Sequence, residues 1–165
     1  MKIYVTDANI FIDLLYSGLL NLIPLLGVPI VTTKLVTDEL DDTQQAELQQ
    51  LVSSNAIEIR DITLEEIRGL SLPLGLSLPD RSVICLAVRE SGVLLSGDGL
   101  VRKTAGNLEI EVRGLLWLFD EFVVFNLISP LEAAEKLEFL VSEKGSRQPA
   151  ADFETRLKKW RKTDL

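Results

Sequence analysis

With 165 residues, 47% of them apolar, the chain has enough material for one domain with a sizeable core and is too hydrophobic for disorder. It has no histidine and one cysteine, which excludes Ser-His and Cys-His nucleophiles, imidazole acid–base pairs, the usual zinc sites and an internal disulfide. A net charge of −8 argues against a nucleic-acid partner, unless several of the 25 acids share a metal site and the basic residues cluster elsewhere.

The first predicted element is a buried strand at Ile3, Tyr4 and Val5, ending in Thr6 and Asp7. A helical pattern follows at once, with Ile10, Phe11, Leu14 and Leu15 on its apolar face. An aspartate at the carboxyl end of a first, central strand faces the crevice where open α/β sheets bind ligands. The competing reading is that Asp7 only caps the helix. Asp13 reads as a helix-surface residue. Residues 14–31 are apolar, but Gly18, Asn21, Pro24, Gly27 and Pro29 break them into two short helical pieces and a turn, not a membrane span. Asp7 and Asp13 interrupt any signal-peptide core. A soluble, cytoplasmic protein is expected, with Cys85 as a small buried hydrophobe.

A second strand is expected at 29–32, a short helix at 33–40, and a polar helix at 42–54. Residues 56–62, AIEIRDI, alternate strictly and suit a sheet edge. Thr63 and Glu66 form a capping-box signature. The pentapeptide GLSLP then occurs twice, at 69–73 and 75–79, a local duplication in a loop. Pro79 opens the next helix, and an apolar strand at 93–95 ends in Ser96-Gly97-Asp98-Gly99. A short helix at 100–105, a last strand at 109–112, and helices at 115–126 and 130–143 follow. After a linker at 145–149, residues 151–162 form a basic amphipathic piece with Phe153, Leu157 and Trp160 on one stripe.

Strands alternating with helices predict an α/β protein, a three-layer αβα sandwich around a mostly parallel sheet of about five strands. Residues 1–145 are expected to form the domain and 146–165 a basic amphipathic tail. The tail's stripe suits its own core, a partner chain or RNA. A binding role is expected for it, with the domain folding in its absence.

Four acids fall beside the αβ junctions. Asp7 and Asp98 each follow an apolar strand, and Asp80 shares a helix face with Ile84 and Ala87. Glu39 follows the second strand, with Asp38 an alternative that the sequence does not separate from it. Taken singly, each has a plain role as a cap, turn or solvated residue. Taken together they point to a cation, because clustered carboxylates repel and hold raised pKa values until one neutralises them. Mg²⁺ or Mn²⁺ suits such oxygen donors.

The stretches VTDANIFIDLL, VTDEL and LPDRSVICLAVRESG-VLLSGDGLVRKTA resemble the acidic motifs of the PIN domain, in that family's order. The similarity is greatest to VapC-like toxin nucleases and spans about residues 1–117. It implies a sheet in which the first and fourth strands are neighbours, bringing Asp7 and Asp98 together. It further implies a Mg²⁺- or Mn²⁺-dependent ribonuclease with Asp7, Glu39, Asp80 and Asp98 as catalytic and metal-binding acids, RNA as substrate, and a small antitoxin as partner; a homodimer is compatible with it. Asn9 and Ser96 are candidate hydrogen-bonders around the acids. Ser96 stands where the family often has threonine, and Gly99 and Leu100 stand where many members have a further acid. The alternatives are a catalytically silent PIN-like module that binds RNA or protein and, last, a receiver-type phosphoacceptor domain. The latter is disfavoured because no lysine ends the final strand.

Overall fold

The computed structural model describes residues 1–162. Val5 is fully buried and flanked in register by Val31 on one side and Leu94 on the other, both equally inaccessible. That continuous apolar layer is what a parallel strand covered on both faces requires. The strands are β1 (Tyr4–Thr6), β2 (Ile30–Thr33), β3 (Ile57–Arg60), β4 (Val93–Leu95) and β5 (Val112–Arg113), in the order β3-β2-β1-β4-β5. All four pairings are parallel. Helices cover both faces, giving the three-layer αβα sandwich. β3 lies at an edge, with Ile57 buried and Glu58 exposed, as its alternation requires.

The helices are α1 (Ala8–Ser17), α2 (Lys34–Thr37), α3 (Asp42–Ser53), α4 (Leu64–Arg68), α5 (Leu78–Glu90), α6 (Gly99–Asn107), α7 (Leu115–Val124), α8 (Pro130–Ser142) and α9 (Ala150–Lys162), with a 3₁₀ segment at Leu20–Leu26. Most start at side-chain caps that the sequence announces: Asp41 with Gln44 for α3, Thr63 with Glu66 for α4, Ser77 for α5 and Ser129 for α8. Gly18 ends α1 at φ +72°, its N–H returned to the carbonyls of Leu14 and Leu15. The chain consequently turns by 109° into the 3₁₀ segment, and no single helix among the described residues is long and apolar enough to cross a membrane.

Two element assignments shift. The helix expected at 33–40 stops at Thr37, because Asp41 starts α3 with its own capping box; Glu39 thus lies in the connecting turn. The last strand is not 109–112 but Val112–Arg113. Helix α6 runs on to Asn107, Glu109 takes φ +59°, and the Ile110 N–H bonds back to the Ala105 carbonyl at 2.8 Å, which leaves only two residues for the sheet.

Of the three destinations open to the C-terminal stripe, the described part of it takes the chain's own core. α9 packs along α8, Leu157 and Trp160 are buried, and the Trp160 ring stacks on Phe119 of α7 with centroids 6.3 Å apart. Arg156 grips Asp120 with two nitrogens, at 2.7–3.1 Å, and Arg161 pairs with Glu138. The last three tail residues, 163–165, lie outside the described residues.

Candidate metal centre

Register decides which acids meet. Thr6 of β1 pairs with Leu95 of β4, and the Asp7 N–H continues the ladder to the Leu95 carbonyl at 3.2 Å. Asp7 therefore leaves the sheet beside Ser96, two residues before Asp98. The neighbours β1 and β4 are where the chain's winding reverses, the crevice in which open α/β sheets hold ligands. Both aspartates do cap helices. Asp7 Oδ1 accepts from the Ile10 N–H at 3.0 Å, and Asp98 Oδ1 from the Val101 N–H at 2.9 Å. Each cap uses one oxygen of a carboxylate that has two, so capping and ligand binding are compatible roles.

Asp7 is only 3% exposed, whereas Asp80 is half-buried and Asp98 and Glu39 are exposed. Burial pushes the Asp7 carboxyl up from 3.8 to about 6. Hydrogen bonds from the Ser96 side chain and the Ile10 N–H oppose the rise, and the charges of Asp80 and Asp98 add to it. Glu39 is also raised, by burial and then by Asp80. Asp80 thus lies within electrostatic reach of both Asp7 and Glu39. Its place is set by α5, whose Ser77 cap accepts the Asp80 N–H at 3.2 Å, and by the Ser82 hydroxyl, 2.7 Å from that of Thr33 at the end of β2. Of the two adjacent acids, Asp38 is neutralised by Lys34 at 3.0 Å, while Glu39 feels Asp80.

A family model described as PIN domain matches residues 3–162. The chain belongs to the PIN-domain family. No curated protein sequence matches it significantly. Among solved structures it is similar to a PilT N-terminus domain protein from the archaeon Sulfolobus solfataricus, with 13% identity over 70% of this chain and 89% of that one, and a TM-score of 0.45. It is also similar to VapBC2 from Rickettsia felis, solved bound to a DNA fragment from their promoter, with 16% identity over 68% of this chain and 98% of that one, and a TM-score of 0.47.

This PIN domain has the donor chemistry for a hard divalent ion. Asp7, Asp80, Asp98 and Glu39 offer only oxygen, and among the described residues none of the four forms an ion pair. A buried carboxylate raised to about 6 beside two other acids is a site short of positive charge. As the side chains stand, no three acids among the described residues are gathered closely enough to enclose an ion. Ser96, fully buried, accepts the Asp98 N–H at 3.2 Å, and its hydroxyl also acts on the Asp7 carboxyl, holding its pKa down. Asn9 is exposed and lines the groove beside Asp98.

Asp13 corrects the sequence reading. It is not a surface residue but 6% exposed, and it receives Lys144 and the Ser146 hydroxyl, the latter at 3.1 Å. The signal was present: Asp13 shares a helical stripe with Ile10, Leu14 and Ser17, all buried. Its partners lie over 130 positions away, beyond the reach of local pattern. Through them Asp13 fastens residues 144–148 in place, where they line one groove with Gly97 and Asp98.

Proposed function

We propose that this PIN domain is a metal-dependent endoribonuclease that cleaves RNA phosphodiester bonds, the VapC-like toxin of a toxin–antitoxin pair. The observation that carries the reading is Asp7, a buried carboxylate at the β1–β4 switch point, raised to about 6 within reach of the charges of Asp80 and Asp98 and with no basic residue paired to it among the described residues. Family membership supports a nuclease over other carboxylate chemistry, and the absence of histidine is consistent with acid–base work done by carboxylates alone.

Asp7, Asp80 and Asp98 would hold a Mg²⁺ or Mn²⁺ ion, and Glu39 would complete the acidic set from the Asp80 side. Such an ion supplies a water of lowered pKa and offsets charge on the phosphoryl oxygens. Ser96 orients the Asp7 carboxylate by its hydrogen bond and keeps Asp98 in register with it. Glu39 is exposed and lies within reach of the charge of Asp80, at the open side of the acidic set. A cytoplasmic setting and a small antitoxin that covers the site belong to the same reading.

The test is cleavage of mixed RNA with Mg²⁺, with Mn²⁺ and with EDTA, by the parent and by Asp7→Asn and Asp98→Asn. Metal-dependent cleavage that both variants lose is expected. Parent-like cleavage by Asp7→Asn ends the assignment of this site. A parent that binds RNA without cutting it favours the silent-module reading, which Gly99 and Leu100 after Asp98 would then explain.

A further inference from the structure

Basic residues are outnumbered 17 to 25 in this chain, yet arginines converge on one pocket of about 190 Å³. It lies between β5, the start of α7 and the 144–149 segment, and Arg102, Arg113, Arg147 and Arg156 all line it. Gly97, Arg147 and Gln148 also line the neighbouring groove of about 310 Å³ that contains Asn9 and Asp98. The two recesses therefore adjoin at Gly97, with Asp98 on one side of it and the arginines on the other.

The four guanidinium groups are not equivalent. Arg156 is forked onto Asp120, so its charge is cancelled and its role is to hold α9 on α7. Arg113 gives one nitrogen to Glu111 at 2.9 Å and stays 47% exposed. Arg102 donates to the Ser96 carbonyl at 2.8 Å, a neutral acceptor that leaves its charge whole. Gly114 makes that placement possible, since a Cβ there would stand 3.2 Å from the Arg102 Nη1. Arg147 is exposed and in no ion pair among the described residues. It is held over the pocket by flanking contacts: Lys144 and Ser146 on Asp13, and Gln148 on the Ser146 hydroxyl at 3.0 Å. Asp152 is the one acid in the lining. With Arg113 shared with Glu111, Arg102 and Arg147 against Asp152 still leave the pocket net cationic.

We propose that Arg102, Arg113 and Arg147 form a phosphate-binding subsite that takes a backbone phosphate of the same RNA strand whose scissile phosphate lies at the acids; the subsite rests on the nuclease reading for its substrate. Guanidinium groups bind phosphate oxygens in pairs of parallel hydrogen bonds. A single strand running over Gly97 passes from Asp98 directly to these donors. Local convergence of arginines is what allows a protein of net charge −8 to hold a polyanion, because the field at the strand is set by the nearest charges and screened beyond about 10 Å. Trp117, half-buried and stacked on Tyr4 at 5.2 Å, forms part of the pocket floor and fixes its shape.

The experiment is fluorescence anisotropy with a labelled single-stranded RNA about 12 nucleotides long, in EDTA so that no cleavage intervenes, across a salt series. Each phosphate contact on a single strand contributes about 0.7 to the slope of log affinity against log salt. The Arg113→Ala/Arg147→Ala double variant, both positions exposed, should flatten the slope by about 1.4 and weaken binding about tenfold at 0.15 M salt. Lys158→Ala/Lys162→Ala removes the same charge from exposed positions of α9 outside the pocket and should leave the slope unchanged. A double variant with the parent's slope, a control that falls as far, or a parent that binds no single-stranded RNA overturns the subsite. The nuclease reading fails separately. A parent that binds through these arginines yet cuts nothing with Mg²⁺ or Mn²⁺ keeps the subsite and loses the enzyme. Cleavage by a double variant that binds like the parent does the reverse.

Discussion

Replacing Asp7 by asparagine should stabilise the metal-free protein, and the gain should vanish in acid. The folded protein holds the Asp7 proton with a pKa of about 6, against 3.8 for the ordinary group. A raised carboxyl means that the folded state binds more protons than the unfolded one between these values, so stability falls as pH rises through them. Each pKa unit is about 1.4 kcal/mol, so the ionised, buried Asp7 costs about 3 kcal/mol above pH 7 and nothing below about pH 3. Asparagine carries no charge to desolvate and caps α1 as well as aspartate does. In EDTA at pH 8, Asp7→Asn should therefore exceed the parent by up to about 3 kcal/mol, or about 6–12 °C in Tm for a domain of this size. At pH 3 the two should melt together. Adding Mg²⁺ at 100 times its Kd should raise the parent by about 2.7 kcal/mol and the variant far less. Thermal unfolding followed by circular dichroism at both pH values, with and without the ion, measures all of this. A variant no more stable than the parent in EDTA at pH 8, or one whose advantage ignores pH, refutes the reasoning.

Ser96→Ala removes a hydrogen bond that lowers the Asp7 pKa, so the Asp7 titration should move upward from about 6, seen in carboxyl NMR; an unmoved midpoint would sever Ser96 from the site. Asp13→Ala leaves the Lys144 ammonium without its partner; because Lys144 is 20% exposed and can turn to solvent, the cost should be about 2 kcal/mol rather than that of a fully buried pair. The same variant should free the 144–149 segment, so trypsin should cut after Lys144 or Arg147 well before it attacks the domain, and unchanged digestion would mean that the tether is not what holds it. Trp160→Ala opens a cavity against Phe119 and should cost about 3–5 kcal/mol by urea unfolding; a loss under 1 kcal/mol would show that α9 contributes little to the core.

What the sequence reveals here is what local chemistry determines. The strand at 93–95, the cap at Thr63 and the Pro79 helix start need only their immediate neighbours, and all are found where the residues place them. Asp7 and Asp98 are legible as junction residues because a strand ends and a helix begins on either side of each. The choice between cap and site is not legible, since the same carboxylate can serve both through different oxygens. Glu39 could not be told from Asp38 because the difference lies in Lys34 taking one and Asp80 acting on the other. Asp13 was misread because a charged residue on an apolar stripe is normally solvated, and its counter-charge comes from another part of the chain. The destination of the Phe153–Leu157–Trp160 stripe was equally hidden, as amphipathicity states that a face will be covered and not by what.

The tether from Asp13 to the 144–149 segment also orders events in time. Asp13 and Lys144 are 131 positions apart, so the contact cannot form until Lys144 itself has left the ribosome. The four acids, by contrast, all lie within the first 98 residues, on strands and helices that can pair while synthesis continues. During translation the strands that carry these acids would thus be available to pair before the segment that carries Arg147 is fastened beside them.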